Sequence, residues 1–387
     1  MGSQTVKMIE AAKIALIGSA PASLKTVPDG KKDSNKWYNT ALGHLHVWLW
    51  NFPRGFLYHD DFFTELMPDR LAGSLNTPFV VTTFLTQPGR TLRMSNYHPE
   101  ECDYIKREDK DNSFWHKCEN RAGGMRIPDV AKHTASIPIL FRTNNFAWPP
   151  YDKGGGWSTV DGCISSGYAW ENCDDDCIVF VATYDFPSKQ IPKPPRINWA
   201  GLPWIGAIVK AFQVIGGVVN DNCYDDMYIV SEIQKYIASN EALSKRKVIQ
   251  NITLGCEQKR KDRGFPERFD FKRHTPKVVE DIFEEGLIWA KEAWKELSAY
   301  QRELMAKKGC TIVGMGGACN GIFQAAVYAF YYEKLKDLKK KLTEEGQQCQ
   351  TRVFNLLAGD SCGGINACFF ANLQDLDEAG KLHLVVA

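Results

Sequence analysis

"GCTIVGMGGACNG", Gly309 to Gly321, lies between two stretches of helical character, and how it is read decides the fold. Upstream, Thr275 can cap a helix and Pro276 suits a first helical position. Apolar residues then recur at helical spacing at Val279, Ile282, Phe283, Trp294, Leu297, Tyr300 and Leu304, and the run ends at Gly309. Downstream, a second helix is expected over roughly residues 322–342, apolar first and lysine-rich at its C-terminal end, where cations suit the helix dipole. With a glycine-rich segment between them, the two helices read as a hairpin and the segment as its linker. The tail, "VFNLLAGDSCGGINACFFANLQDL", is expected to return as strands.

Toward the N-terminus the pattern changes from helical to extended. "TPFVVTTFLT", Thr77 to Thr86, is rich in β-branched residues and bounded by Pro78 and Gly89. "CIVFVATYDF", Cys177 to Phe186, is the clearest strand in the chain. Another strand is expected over residues 248–254, after a short strand or helix in "MYIVSEIQKYIASNEALSKRKVIQ". Residues 95–130 read as a long polar loop region, and "GLPWIGAIVKAFQVIGGVV" as a buried helix or hairpin. The expected fold is α+β: an N-terminal helix and linker over 1–36, a strand-rich mixed body over 37–265, and a C-terminal helical hairpin with a cysteine-containing tail over 266–387.

Bulk composition narrows the function classes. Lys+Arg is 47 and Asp+Glu is 46, a net charge of +1, which argues against nucleic-acid binding through bulk charge. Lys210 and Gln213 interrupt the longest apolar stretch, so no membrane span is expected. Twelve dispersed cysteines without paired C-x-x-C knuckles exclude a zinc ribbon and read as disulfides bracing a secreted protein. The sequon Asn251-Ile252-Thr253 is compatible with a secreted glycoprotein.

Several motifs have plain readings. "GDSCGG", Gly359 to Gly364, resembles the nucleophile loop of trypsin-like proteases but carries Cys362 after the serine and has no matching histidine context upstream, so it reads as a disulfide-bearing turn. "VGMGGACNG" misses the final spacing of G-x-G-x-x-G and follows what reads as a helix, not a strand. "GHLHVWLW" puts His44 and His46 on one strand face, with His59, Asp60 and Asp61 beyond. This is the basis for a metal-dependent hydrolase as a second alternative, although no metal is predicted. "ENCDDDC" reads as a solvated acidic turn.

The remaining constellation is Arg142, Ser158, Thr159 and Glu232. "SIPILFRTNNFAWPP" delivers an arginine from an apolar run, a hydroxyl pair follows, then an apolar strand, then a glutamate. A guanidinium grips phosphate, and a carboxylate stabilises the cation that forms as a glycosidic bond breaks. "ILFRTNNFAWPP" resembles the opening strand of the cholera- and pertussis-type (heat-labile enterotoxin A-like) ADP-ribosyltransferase toxins, and "CIVFVATYDF" resembles their central strand. The resemblance spans residues 136–255. It implies a secreted toxin or effector that is a mono-ADP-ribosyltransferase or NAD glycohydrolase, intact or degenerate, acting on a host protein target. Arg142 would bind NAD, Glu232 would be catalytic, and Ser158 and Thr159 would stand in for the Ser-Thr-Ser element. A second register places His59 in the arginine slot and Thr82 and Thr83 on the hydroxyl strand. The alternative from another class is a non-enzymatic secreted binding or structural protein, for which the aromatic content and balanced charge are equally suited.

Overall fold

The computed structural model describes residues 63–64, 67–86, 89–96, 124–137, 144–146, 157–165, 169, 175–183, 206–253, 276–317 and 320–380. Strands β1 (Phe79–Leu85), β2 (Arg90–Ser95), β3 (Asn144–Phe146), β4 (Trp157–Asp161), β5 (Cys177–Val181), β6 (Val248–Ile252), β7 (Cys310–Gly314) and β8 (Phe354–Asp360) form one sheet. Its order is β3-β4-β1-β8-β7-β5-β6, with β2 paired to β1. The contiguous set β1-β8-β7-β5-β6 is parallel, and the β2, β3 and β4 pairings are antiparallel. The described helices are α1 (Ile127–Thr134), α2 (Gly206–Ser239), α3 (Glu241–Ser244), α4 (Pro276–Glu296), α5 (Ala299–Lys308), α6 (Gly321–Glu344) and α7 (Cys362–Glu378).

The architecture is a mixed α/β fold in which helices cover both faces of a largely parallel sheet. Parallel strands buried on both faces need continuous apolar runs. β5, "CIVFV", and β7, "CTIVG", meet that need and are buried at every position. On one face, Val81, Val179, Ile312 and Leu357 join α1, α4, α6 and α7 in the larger core. On the other, Val80, Ile178, Phe180, Val313 and Ala358 meet Cys223, Met227 and Val230 of α2. Tyr328, Tyr331, Phe323, Phe354 and Phe370 are fully buried in the first layer, each worth roughly 1.5–3 kcal/mol of apolar burial.

Chain direction explains this division. From β5 the chain moves outward to β6 through α2, whereas from β7 it moves the opposite way to β8 through α6. Right-handed crossovers running in opposite directions put their helices on opposite faces. The strand order therefore reverses between β5 and β7, and the carboxyl ends of strands beside such a reversal form the usual ligand crevice of an open α/β sheet.

Three sequence expectations are corrected. The segment read as a hairpin linker holds β7, a strand flanked by β5 and β8. The helices α4 and α6 do pack together, but α5 and β7 intervene between them in the chain. The tail returns as one strand, β8, followed by a helix, α7, instead of strands alone. Disulfide bracing is not found among the described residues: Cys163, Cys177, Cys223, Cys310, Cys349, Cys362 and Cys368 form no disulfide there. Six of these seven are buried and serve as small apolar side chains, so they give no support to the secreted reading drawn from cysteine spacing. Three smaller differences follow. The polar region expected as loop ends in α1, and Asn251 of the sequon sits half-buried within β6. The sheet also takes β7 and β8 from beyond residue 266 and sets β8 directly against β1.

Candidate active site

β8 runs straight into α7 through a single residue, Ser361. Its backbone, φ 51° and ψ −124°, makes it the one non-glycine residue with positive φ among the described residues. Such a conformation costs on the order of 1–3 kcal/mol and persists only where the surroundings enforce it. The enforcement comes from close packing. A Cβ on Gly363 would strike the backbone of Gly314, and one on Gly359 would strike Gly363. Glycine at both positions lets α7 fold back against β7 and β8, and the serine between them takes the strained turn. The frame Gly359-Asp360-Ser361-Cys362-Gly363 is thus a G-x-S-x-G strand–turn–helix, the nucleophile elbow geometry of α/β hydrolases.

Neighbouring elements fix the serine at both ends. Its N–H donates to Thr134 Oγ1 at 3.1 Å, and Thr134 Oγ1 donates to the Thr82 carbonyl at 2.5 Å. Its hydroxyl donates to Asp161 Oδ2 at 2.6 Å. Asp161 closes β4, and its other oxygen, Oδ1, accepts the Cys163 N–H at 2.9 Å. Ser361 is 3% exposed and Asp161 is fully buried. Burial lifts the Asp161 pKa to about 6, against the lowering effect of its bonds from Cys163 and Ser361. Asp360, at the end of β8, is pushed well above the carboxylate range by burial and by the nearby Asp161 charge. Its Oδ1 accepts the Gly316 N–H at 3.1 Å. Burial also raises the Cys163 thiol, with Asp161 and Asp360 adding to the effect. Asp161, Cys163 and Asp360 offer ligand atoms within 4.8 Å of one another and are the described residues grouped closely enough to hold a metal ion.

The turn after β7 forms the second wall. Gln324 Nε2, from α6, donates to the Met315 carbonyl at 2.5 Å and to the Val181 carbonyl at 3.1 Å. Thr183, beyond β5, donates to the Gly316 carbonyl. Asn366 of α7 bonds Gly321 O at 2.9 Å and Gln324 Oε1 at 3.1 Å. These bonds tie the carboxyl ends of β5, β7 and β8 together at the strand-order reversal.

Of the residues singled out from sequence, Thr82 borders this site, and Glu232, Ser158 and Thr159 are engaged elsewhere. Arg142, His44, His46, His59, Asp60 and Asp61 are outside the described residues. Glu232 stands exposed on α2 and pairs with Lys235 at 2.7 Å. Ser158 lends its carbonyl to the Thr86 N–H at 2.9 Å. Thr159 is buried with its Oγ1 at 2.6 Å from His133 Nδ1. Burial, with Lys132 nearby, lowers the His133 pKa to about 4, so this imidazole is neutral at neutral pH. Thr82 lies beside Asp360 in the register of β1 and β8, and Thr83 is tied to the His133 and Val160 carbonyls. The sequence reading saw Asp360 and Ser361 only as part of a disulfide-bearing turn, counted Cys163 only among the dispersed cysteines, and passed over Asp161. One signal was present: glycine two residues either side of Ser361, after an apolar run and before an apolar helix.

No family model, curated protein or solved structure matches the chain.

Proposed function

We propose that the protein is a serine hydrolase of ester or other acyl bonds, with Ser361 as nucleophile and Asp161 as the group that takes its proton. The observation that carries this reading is the strained, positive-φ serine between a parallel strand and a helix. Strain of this kind collects at functional sites. The 2.6 Å bond gives the proton a direct route. Ser361 Oγ bonds to the acyl carbon as its proton passes to Asp161 Oδ2. The carbon–oxygen bond to the leaving group then breaks, and the departing alkoxide takes that proton back. Water repeats the sequence on the acyl-serine and releases the acid. Ser361 sits at the N-terminal end of α7, whose positive dipole end would favour the negative charge that develops on the acyl oxygen.

The ADP-ribosyltransferase reading requires Arg142 and Glu232 to face one another across a hydroxyl-bearing strand. Glu232 is engaged with Lys235 on an exposed helix face and Thr159 with His133, so their surroundings favour that reading less than the elbow favours a hydrolase. Hydrolysis of p-nitrophenyl acetate, measured alongside NAD cleavage, separates the two. The wild-type chain is expected to hydrolyse the ester, Ser361→Ala and Asp161→Asn to lose that activity, and Glu232→Ala to keep it. Ester hydrolysis that survives Ser361→Ala, or NAD cleavage lost in Glu232→Ala, would refute the hydrolase assignment.

A further inference from the structure

Asp161, Cys163 and Asp360 are buried, and a carboxylate oxygen from each aspartate and the cysteine Sγ lie within 4.8 Å of one another. A cluster of acids alone says little. Here two more atoms at the same spot lack partners: Asp360 Oδ2 and Thr82 Oγ1 are both buried without a hydrogen bond. Leaving such groups unsatisfied is costly, and more so for a charged one. Thr82 and Asp360 are register neighbours on parallel strands, so their side chains share a face. A Cβ built on Gly162, between Asp161 and Cys163, would lie 2.6 Å from Thr82 Oγ1. A Cβ built on Gly316 would lie 2.7 Å from Asp360 Oδ2 and 3.1 Å from the Cβ atoms of Cys163 and Ser361. Glycine at 316 therefore keeps clear a space bordered by the orphan oxygen and the cysteine.

We infer that Asp161, Cys163 and Asp360 form a binding site for one zinc-like divalent ion, with the Thr82 hydroxyl as a neighbouring oxygen donor. The donor set selects the ion. Two carboxylates and one thiol suit borderline zinc, whereas calcium asks for six to eight oxygens and magnesium for an oxygen octahedron. With Zn–O near about 2.1 Å and Zn–S near about 2.3 Å, ligand atoms on one zinc sit roughly 3–4 Å apart, so the cluster needs only a small contraction. Among the described residues, the groups facing the site are Asp161 and Cys163 around the end of β4, Asp360 of β8, and Cys223 and Asp226 of α2, which act on it electrostatically. None is cationic. A bound ion would displace the thiol and carboxyl protons to solvent and balance the charge left behind. The site does not depend on the hydrolase reading. Because Asp161 also accepts the Ser361 hydroxyl, a metal ion and proton transfer would compete for one carboxylate, so metal binding is the proper readout.

The test uses the full chain stripped by chelator and titrated with Co²⁺, then with Zn²⁺ in competition. One equivalent of cobalt is expected, with a thiolate-to-cobalt absorption band that zinc abolishes. Cys163→Ser should lack the band, Asp360→Asn should bind at least about tenfold more weakly, and Ser361→Ala should keep the band and the one-equivalent stoichiometry, with an affinity changed only through its bond to Asp161. Asp360→Asn removes a buried carboxyl at constant shape, so its Tm should match or exceed that of metal-free wild type, and zinc should raise only the wild-type Tm. No cobalt uptake, uptake without the thiolate band, or equal affinity in wild type and Asp360→Asn would overturn the site and leave the carboxyls holding protons instead. Loss of hydrolysis in Ser361→Ala with cobalt binding intact separates the fate of this proposal from that of the nucleophile.

Discussion

Two strand-to-helix junctions lie side by side at the carboxyl end of the sheet, and they solve the same turn differently. Between β7 and α6 the chain spends six residues, Met315 to Asn320, and the backbone of Met315 and Gly316 is held by the side chains of Gln324, Thr183 and Asp360. Between β8 and α7 it spends one, Ser361, in a conformation that suits glycine far better. The first junction relieves strain through length and glycine. The second concentrates it on a hydroxyl-bearing residue whose hydroxyl is bonded to a buried carboxylate. A glycine would make the second turn at lower cost. A serine there has to be explained by what its hydroxyl does, and that asymmetry is the physical basis for assigning the chemistry to Ser361.

The largest effect should come from joining the two junctions by force. Gly363 of the second rests against the Gly314 backbone of the first. Gly363→Leu should push α7 off β7 and destabilise the chain by about 3 kcal/mol or more, seen as a lower denaturation midpoint. A midpoint unchanged from wild type would mean that the close crossing is not what shapes the elbow.

Next in size is the pH dependence contributed by His133, whose neighbour Thr134 receives the Ser361 N–H. Its pKa is about 4 in the folded chain, against an ordinary value of 6.5. Between those pH values the unfolded state binds the proton and the folded state does not, so stability falls as pH drops from about 6.5 to 4 and levels off below. The contribution at neutral pH is about 3 kcal/mol at most. Asp161 and Asp360 titrate in the opposite sense, so the measurement is the difference between wild type and His133→Gln across that window. Parallel stability curves for the two would rule out a buried neutral imidazole.

A smaller effect sharpens the comparison itself. Ser361→Gly and Ser361→Ala both remove the hydroxyl, but only glycine accepts the backbone angles without penalty. The glycine variant should be the more stable of the two by about 1–2 kcal/mol in urea unfolding. The reverse order would show that the turn is unstrained.

Much of the fold was legible where local pattern and burial agree. β1 and β5 follow from β-branched and apolar runs, and α4 begins at Pro276 where the capping pattern puts it. β7 was not legible, because five residues lying between a helix and a glycine-rich turn carry no period that separates a strand from a linker. Its identity depends on β5 and β8, which flank it from far along the chain. The site was hidden for related reasons. Cys362 drew attention to disulfide chemistry, yet its thiol faces the Met315 carbonyl at 3.6 Å. The sign of φ at Ser361 is set by Gly314 and Gly363, not by the residues next to it. Asp161 comes from 200 positions earlier in the chain and meets Ser361 only when β4 and β8 flank β1.

The most direct measurement is to treat the folded chain with a fluorophosphonate probe and map the adduct by peptide mass spectrometry. The account predicts a single stoichiometric adduct on the peptide containing Ser361, lost when the chain is unfolded before labelling and absent from Ser361→Ala. An unlabelled Ser361 in folded protein, or an adduct at another serine that persists in Ser361→Ala, would contradict it.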